Sequence, residues 1–264
     1  MDSILEVAVH AAKQAGSLIQ SAAKDLSNLN VEQKSLHDYV SEVDRESESV
    51  ITTIISKHFP EHGVLGEEYG DTGQSTSDVQ WVVDPLDGTT NFLRSIPHYA
   101  VSIGVMSDNV VQHAVVFDPV KDEMFSASRG QGARLNDQPI EVSGATSVRG
   151  TLLSTGVPFS GQAADNLDAF TNTMRGLLAQ DISGIRRLGS AALDLAYVAA
   201  GRYDGYWEGY LKIWDIAAGA LLVQEAGGVV TDLHGQDLHL VSGNILAGGS
   251  NVHADMLKVT NVMY

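Results

Sequence analysis

The sequence contains no cysteine, so disulfide bonds and thiolate metal sites are excluded. It also has few positively charged residues: 16 Lys and Arg compared with 33 Asp and Glu, which gives a formal net charge of −17. Such an excess of negative charge opposes nonspecific binding to nucleic acid or anionic membranes. No apolar run approaches the roughly 20 residues that cross a bilayer, and the first residues lack the basic start of an export signal. We therefore expect a cytoplasmic protein that binds neither nucleic acid directly nor membrane.

The amino-acid composition is sufficient for a substantial hydrophobic core. Of the 264 residues, 44% are hydrophobic and 19% are charged, which is typical of globular proteins. A chain of this length forms one large domain or two modest ones.

One stretch, residues 81–92, places two acids directly after an apolar run. Trp81–Val83 predicts a buried strand, and we expect it to stop at Asp84, where a turn brings the carboxylates of Asp84 and Asp87 towards one point. Two close anions repel each other strongly, so this arrangement needs a proton or a cation. Oxygen donors alone, including a backbone carbonyl and the Thr89 hydroxyl, favour Mg²⁺, Mn²⁺ or Ca²⁺ over zinc. The alternative interpretation is an ordinary acidic turn, for which D-P-x-D-G is a common sequence.

The residues that follow this turn are suited to phosphate. Gly88 lets the backbone approach a ligand closely, and Thr89 and Thr90 offer amides and hydroxyls at a candidate helix start. Because the protein is acidic, a phosphate ester would be repelled unless cations were bound at the site. The two acids and the phosphate-binding pattern therefore point to the same kind of site.

The order of the predicted elements divides the chain into two halves. We expect helices over residues 4–22 and after Ser41, which can form a capping box with Asp44. Closely spaced strands within 99–126 predict an antiparallel sheet, whereas strands and helices alternate over 151–233, as in an α/β fold. We place the boundary near residue 146, which gives an N-terminal α+β half and a C-terminal α/β half, 1–146 and 147–264.

Three motifs resemble the signatures of the inositol monophosphatase family: Gly66-Glu67-Glu68, Asp84-Pro85-Leu86-Asp87-Gly88-Thr89-Thr90-Asn91-Phe92 and Trp214-Asp215-Ile216-Ala217-Ala218-Gly219. The likeness covers essentially the whole chain and is closest to the bacterial branch, which residues 186–197 also resemble. Members of this family are lithium-sensitive, magnesium-dependent phosphomonoesterases. The resemblance implies the layered αβαβα sandwich of the sugar-phosphatase superfamily, with the active site between the two halves.

The resemblance also implies roles for individual residues. The ligands of two or three Mg²⁺ ions, with Mn²⁺ as a substitute, would be four acids and one backbone carbonyl: Glu67, Asp84, Asp87, Asp215 and Leu86. The attacking water would be oriented by Glu67, Thr89 and, behind Thr89, Asp44. The Gly88 and Thr89 amides would bind phosphate, and the alcohol would be bound by Asp87, Glu208 and the backbone of Ala191.

Some of these assignments have competing interpretations. Asp44 could be a helix-start acid, worth about 0.3–1 kcal/mol, rather than the residue that orients the Thr89 hydroxyl. Glu208 could be a solvated acid at a strand end instead of an acceptor for polyol hydroxyls. Lys212 departs from the histidine of some animal members, which leaves the substrate preference open.

We expect hydrolysis of myo-inositol monophosphate and similar small polyol phosphates. Within the superfamily, the alternatives are fructose 1,6-bisphosphate and a 3′-phosphoadenosine nucleotide, although the sequence offers no obvious basic cluster for a nucleotide. A second kind of function is a protein contact through Arg186 and Arg187. The bacterial relatives with this segment include one that joins a transcription antitermination complex, so RNA polymerase elongation factors are candidate partners. We favour a homodimer interface, since symmetric dimers are the commonest oligomers.

Overall fold

The computed structural model describes residues 3–26, 31–35, 38–71, 77–158 and 163–263. Its helices are α1 (Ile4–Ala22), α2 (Glu42–His58), α3 (Thr89–Leu93), α4 (Ala163–Leu178), α5 (Ala191–Ala199), α6 (Ile213–Glu225), α7 (His239–Ser242) and α8 (Ser250–Met263). Its strands are β1 (Val31–Ser35), β2 (Asp38–Ser41), β3 (Gly63–Gly66), β4 (Gly70–Asp71), β5 (Val79–Asp87), β6 (Ala100–Ser107), β7 (Val110–Asp118), β8 (Glu123–Ser128), β9 (Ala133–Leu135), β10 (Gln138–Ile140), β11 (Leu152–Thr155), β12 (Gly184–Arg186), β13 (Gly205–Glu208), β14 (Val229–Thr231) and β15 (Ile245–Gly248). None of the helices in the described ranges combines the length and the apolarity that crossing a bilayer requires.

Side-chain caps start the first two helices where the sequence predicts them. In α1 the Ser3 hydroxyl accepts a hydrogen bond from the Glu6 N–H at 3.2 Å, and the Glu6 carboxylate accepts one from the Ser3 N–H at 2.6 Å. In α2 Ser41 and Asp44 form the same reciprocal capping box. Each cap satisfies backbone N–H groups that the first turn of a helix leaves unpaired.

An eight-stranded sheet has the order β10-β9-β8-β7-β6-β5-β3-β4. Its neighbouring strands are antiparallel except β3 and β5, which run parallel. The predicted antiparallel sheet is confirmed for β6, β7 and β8. The short strands β9 and β10 extend it around a turn at Asn136 and Asp137, whose φ angles are 46° and 64°.

A second sheet of five strands has the order β12-β11-β13-β15-β14. Strand β11 runs parallel to β12 and β13, whereas β15 runs antiparallel to β13 and β14. The predicted alternation of strands and helices is confirmed as far as β14. Strand β15 follows the last of the predicted elements and enters between two strands that come before it in the chain.

Three buried clusters define how the helices and sheets are layered. The first joins α1 and α2 to one face of the eight-stranded sheet, where Trp81 and Val83 point. The second joins the opposite face, which includes Val82, to α5, α6 and residues of the five-stranded sheet. The third joins the remaining face of that sheet to α4 and α8. The result is the expected αβαβα sandwich.

The proposed boundary at residue 146 separates the two sheets but not the helices between them. Helices α5 and α6 belong to the C-terminal half, yet they pack against strands of both sheets. The two halves therefore share a core, and the division into 1–146 and 147–264 stays a prediction.

Strand β5 runs further than the sequence analysis predicts. The expectation that it stops at Asp84 is wrong, because the strand continues through Pro85 to Asp87. Its pairing with β6 shifts between Asp84, opposite Ser102, and Asp87, opposite Ala100. Three steps along β5 are matched by two along β6, which is a β-bulge. A bulge accommodates Pro85 because proline has no N–H for the ladder, so a bulge rather than a turn brings the two acids together.

Candidate active site

The parallel pairing of β3 with β5 places Glu67 beside Asp84. Gly66, the last residue of β3, pairs with Val83, and the Glu67 N–H donates a hydrogen bond to the Val83 carbonyl at 3.1 Å. Parallel neighbours end at the same edge of a sheet. The acid that follows β3 and the acid that follows Val83 therefore lie at one edge, although they come from separate motifs.

Asp84 is the most deeply buried of the four predicted acidic ligands, with 2% of its surface exposed. Its Oδ1 accepts a hydrogen bond from the Leu86 N–H at 3.0 Å. Burial raises the pKa of Asp84 well above its ordinary value, and the negative charges of Glu67, Asp87 and Asp215 raise it further. The four acids thus lie within electrostatic range of one another.

Asp215 reaches this cluster from the start of α6. Its Oδ2 accepts a hydrogen bond from the Lys212 N–H at 2.6 Å, which closes the first turn of the helix. The hydroxyl of Ser102 donates to the Trp214 carbonyl at 3.1 Å, and Ser102 is the residue that pairs with Asp84 in the sheet. Burial is the main cause that raises the pKa of Asp215 well above its ordinary value, and neighbouring acids add to it.

The acids do not enclose a common point as they stand. Among the residues that the structure describes, no three acidic, histidine or cysteine side chains have an arrangement that could hold a metal ion. The donor chemistry fits Mg²⁺, because carboxylate and carbonyl oxygens are the ligands that hard cations prefer.

Asp87 connects the bulge of β5 to the first turn of α5. Its Oδ2 accepts hydrogen bonds from the Ser190 hydroxyl and the Ala192 N–H, both at 2.7 Å. Burial raises the pKa of Asp87 to about 6, and these hydrogen bonds oppose that rise. Ala191 was predicted from the sequence as part of the site, whereas its neighbours Ser190 and Ala192 were not. Ser190 could have been found as the N-cap of an alanine-rich helix, since serine is a favoured N-cap.

Asp44 makes the contacts that both of its competing interpretations require, the helix cap and the bond to Thr89. Its Oδ2 accepts from the Ser41 N–H at 2.9 Å and from the Ser41 hydroxyl at 2.5 Å, so it helps to cap α2. Its Oδ1 accepts from the Thr89 hydroxyl at 2.8 Å. That hydroxyl also lies 3.1 Å from the Leu86 carbonyl oxygen. The predicted contact between Asp44 and Thr89 is therefore present in the structure.

Gly88 separates the bulge of β5 from α3 in a backbone conformation that requires glycine. Its φ angle is +98°, and a Cβ there would lie 3.1 Å from the His98 carbonyl oxygen and 3.2 Å from the Tyr99 Cβ. Helix α3 has five residues, so its dipole can contribute little, and phosphate binding would depend on the individual N–H groups. Binding of phosphate by the Gly88 and Thr89 amides stays a prediction.

Glu208 ends β13 and is 8% exposed, so its interpretation as a solvated strand-end acid is wrong. Its Oε2 accepts a hydrogen bond from the buried Tyr206 hydroxyl. Burial raises the pKa of Glu208 to about 7, and the negative charge of Asp87 contributes to the rise. Asp194, in the first turn of α5, is also buried, and the charges of Glu208 and Asp87 add to the effect of burial in raising its pKa. Neither Tyr206 nor Asp194 was predicted from the sequence as part of the site.

The chain is similar to known proteins over nearly its whole length. The model of the inositol monophosphatase family matches residues 1–261. The Nus factor SuhB of Pseudomonas aeruginosa is 49% identical over 97% of this chain and 95% of its own, and that of Escherichia coli K12 is 46% identical over the same shares. The crystal structure of the extragenic suppressor protein suhB from Bartonella henselae matches with a TM-score of 0.93 and 41% identity over 98% of each chain. Inositol monophosphatase from Anabaena matches with a TM-score of 0.85 and 38% identity over 97% of this chain and 94% of its own.

Proposed function

Because the chain belongs to the inositol monophosphatase family, we propose that it is a Mg²⁺-dependent phosphomonoesterase that hydrolyses myo-inositol monophosphate and related small polyol phosphates. The observation that carries the proposal is the cluster of four acids around Asp84, joined through Asp87 to Glu208. Members of this family are phosphatases. Cytoplasmic location and inhibition by Li⁺ belong to the same proposal.

The metal would be bound by the oxygen donors at the edge where β3 and β5 end. These are the carboxylates of Glu67, Asp84, Asp87 and Asp215 and the carbonyl of Leu86. Four negative charges can neutralise two divalent cations, and Mn²⁺ offers the same preference for oxygen ligands. When bound, such cations polarise the phosphate, lower the pKa of a water molecule and stabilise the leaving alkoxide.

The Thr89 hydroxyl would orient the attacking water. It has a single hydrogen, and the charged carboxylate of Asp44 at 2.8 Å is a stronger acceptor than the Leu86 carbonyl at 3.1 Å. With that hydrogen donated to Asp44, the Thr89 oxygen can accept a hydrogen bond from water. Glu67 would accept a hydrogen bond from the second O–H group of the water, which would then attack phosphorus in line as the bond from phosphorus to the alcohol oxygen breaks, so no protein nucleophile is needed.

The alcohol part of the substrate would lie between Asp87 and Glu208. Both carboxylates can accept hydrogen bonds from neutral hydroxyl groups, and Asp87 is fixed in direction by Ser190 and Ala192. The backbone around Ala191 would complete this pocket. A substrate with several adjacent hydroxyls uses these acceptors best, which favours a polyol over a simple ester.

A second candidate function is a protein contact through the surface at residues 186–188. Arg186, Arg187 and Leu188 are exposed, with 38% of the Leu188 surface accessible. The relatives from Pseudomonas aeruginosa and Escherichia coli are called Nus factor SuhB, a name that favours transcription factors as partners. We propose a homodimer contact at this surface, with an RNA polymerase elongation or antitermination factor as the alternative partner.

Phosphate release from a panel of substrates tests the proposed function. The panel contains myo-inositol 1-phosphate, fructose 1,6-bisphosphate, a 3′-phosphoadenosine nucleotide and p-nitrophenyl phosphate, each with Mg²⁺ and with EDTA. We expect the highest kcat/KM for the inositol phosphate and no release with EDTA. A higher kcat/KM for the bisphosphate or the nucleotide would contradict the substrate assignment but leave the phosphatase activity standing.

A further inference from the structure

Helix α2 presents two buried carboxylates one turn apart. Asp44 is 1% exposed and Glu48 is 0% exposed. Residues four positions apart lie on the same face of a helix. Asp44 contacts the segment that carries Thr89, whereas Glu48 contacts a different segment of the proposed site.

Glu48 binds the turn that carries Glu67. Its Oε2 accepts a hydrogen bond from the Glu68 N–H at 2.8 Å, and its Oε1 accepts one from the Tyr69 N–H at 3.0 Å. This turn joins β3 to β4 and is closed by the pairing of Gly66 with Gly70. A buried carboxylate is costly unless it is hydrogen-bonded, and here each of its oxygens accepts a charge-assisted hydrogen bond from the turn.

The carboxylate of Glu48 also fills the space beside the last residue of β3. A Cβ on Gly66 would lie 2.0 Å from Glu48 Oε1 and 2.2 Å from its Cδ, far closer than atoms can approach. Gly66 directly precedes Glu67. The backbone on both sides of Glu67 is thereby fixed, since the Glu67 N–H is bonded to the Val83 carbonyl and the next N–H to Glu48.

We propose that Glu48 is a positioning residue that sets the direction of Glu67 towards the acid cluster, which rests on the proposed role of Glu67 as a metal ligand. Helix α2 then aligns two separate parts of the site, one through Asp44 and one through Glu48. Two adjacent N–H groups need two acceptor oxygens. Glutamine has one acceptor oxygen and an NH₂ group, so Glu48→Gln leaves one of these N–H groups facing a donor.

Binding of Mn²⁺ to the substrate-free protein, followed by electron paramagnetic resonance, tests this role directly. Residues that orient a metal ligand are typically worth about 10–100-fold in affinity, so we expect E48Q to bind Mn²⁺ about tenfold more weakly than wild type. The Mg²⁺ concentration for half-maximal turnover should rise by about the same factor, with KM for the substrate at saturating Mg²⁺ changed less than about twofold. The matched control is E46Q, on the exposed side of the same helix. Unchanged Mn²⁺ affinity in E48Q would overturn the proposal.

A second pair of variants gives a result that a general loss of stability would not. Gly66→Ala should weaken Mn²⁺ binding, because the added methyl displaces the Glu48 carboxylate. In an E48A background that carboxylate is absent, so adding G66A should weaken Mn²⁺ binding no further. Additive effects would contradict the proposal, and this cycle also decides the case if E48Q fails to fold. If wild type binds Mn²⁺ but releases no phosphate, the proposed function fails while the role of Glu48 is still tested.

Discussion

The two ends of the proposed active site, one at β5 and one at β13, both bury carboxylates, but they surround them differently. At the end of β5, Asp84 has one backbone N–H donor in contact and three acids as electrostatic neighbours. At the end of β13, Glu208 also has two acids as electrostatic neighbours, Asp87 and Asp194, but it accepts a hydrogen bond from the Tyr206 hydroxyl. Mutually repelling acids require positive charge to be stable in the ionised form, whereas a carboxylate beside a hydroxyl already has the surroundings of a hydrogen-bonding site. The first end is therefore suited to cations and the second to a neutral alcohol.

Asp87 belongs to both ends. It raises the pKa of Asp84 and of Glu208, and it accepts hydrogen bonds from the Ser190 hydroxyl and the Ala192 N–H at the start of α5. Because Asp87 lies between the proposed cation site and the proposed alcohol site, we expect the bond between phosphorus and the alcohol oxygen to lie next to it. The contrast between the two ends predicts different consequences for changes at each.

Removal of the metal should have the largest effect, because every step at the β5 end depends on positive charge. EDTA should abolish phosphate release, and excess Mg²⁺ should restore it, with Mn²⁺ as a substitute. Thermal unfolding measured in the same samples should show a higher Tm with Mg²⁺ than with EDTA, since a ligand that binds only the folded state stabilises it. Turnover that persists after exhaustive chelation would contradict a cation site at the β5 end, and the contrast between the two ends would then be wrong.

Asp84→Asn should have the next largest effect. The change keeps the shape of the side chain but removes a negative charge from the cation site, so we expect kcat to fall by about 10³-fold or more. Without metal, the variant should unfold at or above the Tm of wild type, because one of several mutually repelling acids has been neutralised. Added Mg²⁺ should raise its Tm less than it raises that of wild type.

The matched control for D84N is D78N, which lies just before the same strand and is exposed. It should leave both turnover and the Mg²⁺-dependent change in Tm as in wild type. Near-normal Mg²⁺-dependent turnover in D84N would show that the bulge of β5 is structural only.

Glu208→Gln should affect substrate binding and leave the cation site in place. Loss of a hydrogen bond to a charged acceptor costs about 1.5–3 kcal/mol, so we expect KM for a polyol phosphate to rise by roughly 10–100-fold. The KM for p-nitrophenyl phosphate, which lacks those hydroxyls, should change little. Equal losses for both substrates would indicate that Glu208 acts on the metal or on folding instead.

The sequence predicted the parts of the site that lie within single motifs. Asp84, Asp87, Gly88 and Thr89 are close in the chain, so residue type and spacing suffice to bring them together. The contact between Asp44 and Thr89, 45 positions apart, was reached through the family resemblance. The bulge at Pro85 was missed because an Asp-Pro pair before Asp-Gly is also a common turn sequence.

The missed residues depend on burial that the sequence pattern hides. Glu48 lies in an alternating Glu-Ser-Glu-Ser stretch that is typical of a solvated helix face, yet it is fully buried against the turn after β3. Tyr206 and Asp194 became relevant only when the sheet and α5 placed them near Glu208. Such contacts follow from packing between layers, and local propensity carries no information about them.

The smallest expected effect is on stability, and it isolates the β13 end from the metal. In the folded protein the pKa of Glu208 is raised to about 7, against an ordinary value of 4.5. Between these values the folded state retains a proton that the unfolded state has lost, so the free energy of unfolding falls as pH rises. Below this window both states are protonated, and above it both are ionised, so the contribution of Glu208 is present at low pH and lost as pH passes through the window.

Urea unfolding with EDTA at pH 5.0, 6.0 and 7.5 measures this contribution. Between pH 5.0 and pH 7.5, E208Q, which cannot titrate at this position, should lose about 1–3 kcal/mol less stability than wild type. Other acids with raised pKa values, Asp44, Asp84, Asp87, Asp194 and Asp215, lower the stability of both proteins in the same direction. Buried histidines such as His98, whose pKa is lowered to about 4, oppose this fall in both, so only the difference between the two curves measures Glu208. E46Q, on the exposed face of α2, should follow the wild-type curve. Parallel curves for wild type and E208Q would mean that Glu208 is no more costly to ionise than a solvated acid, and the difference between the two ends of the proposed active site would then rest on the metal alone.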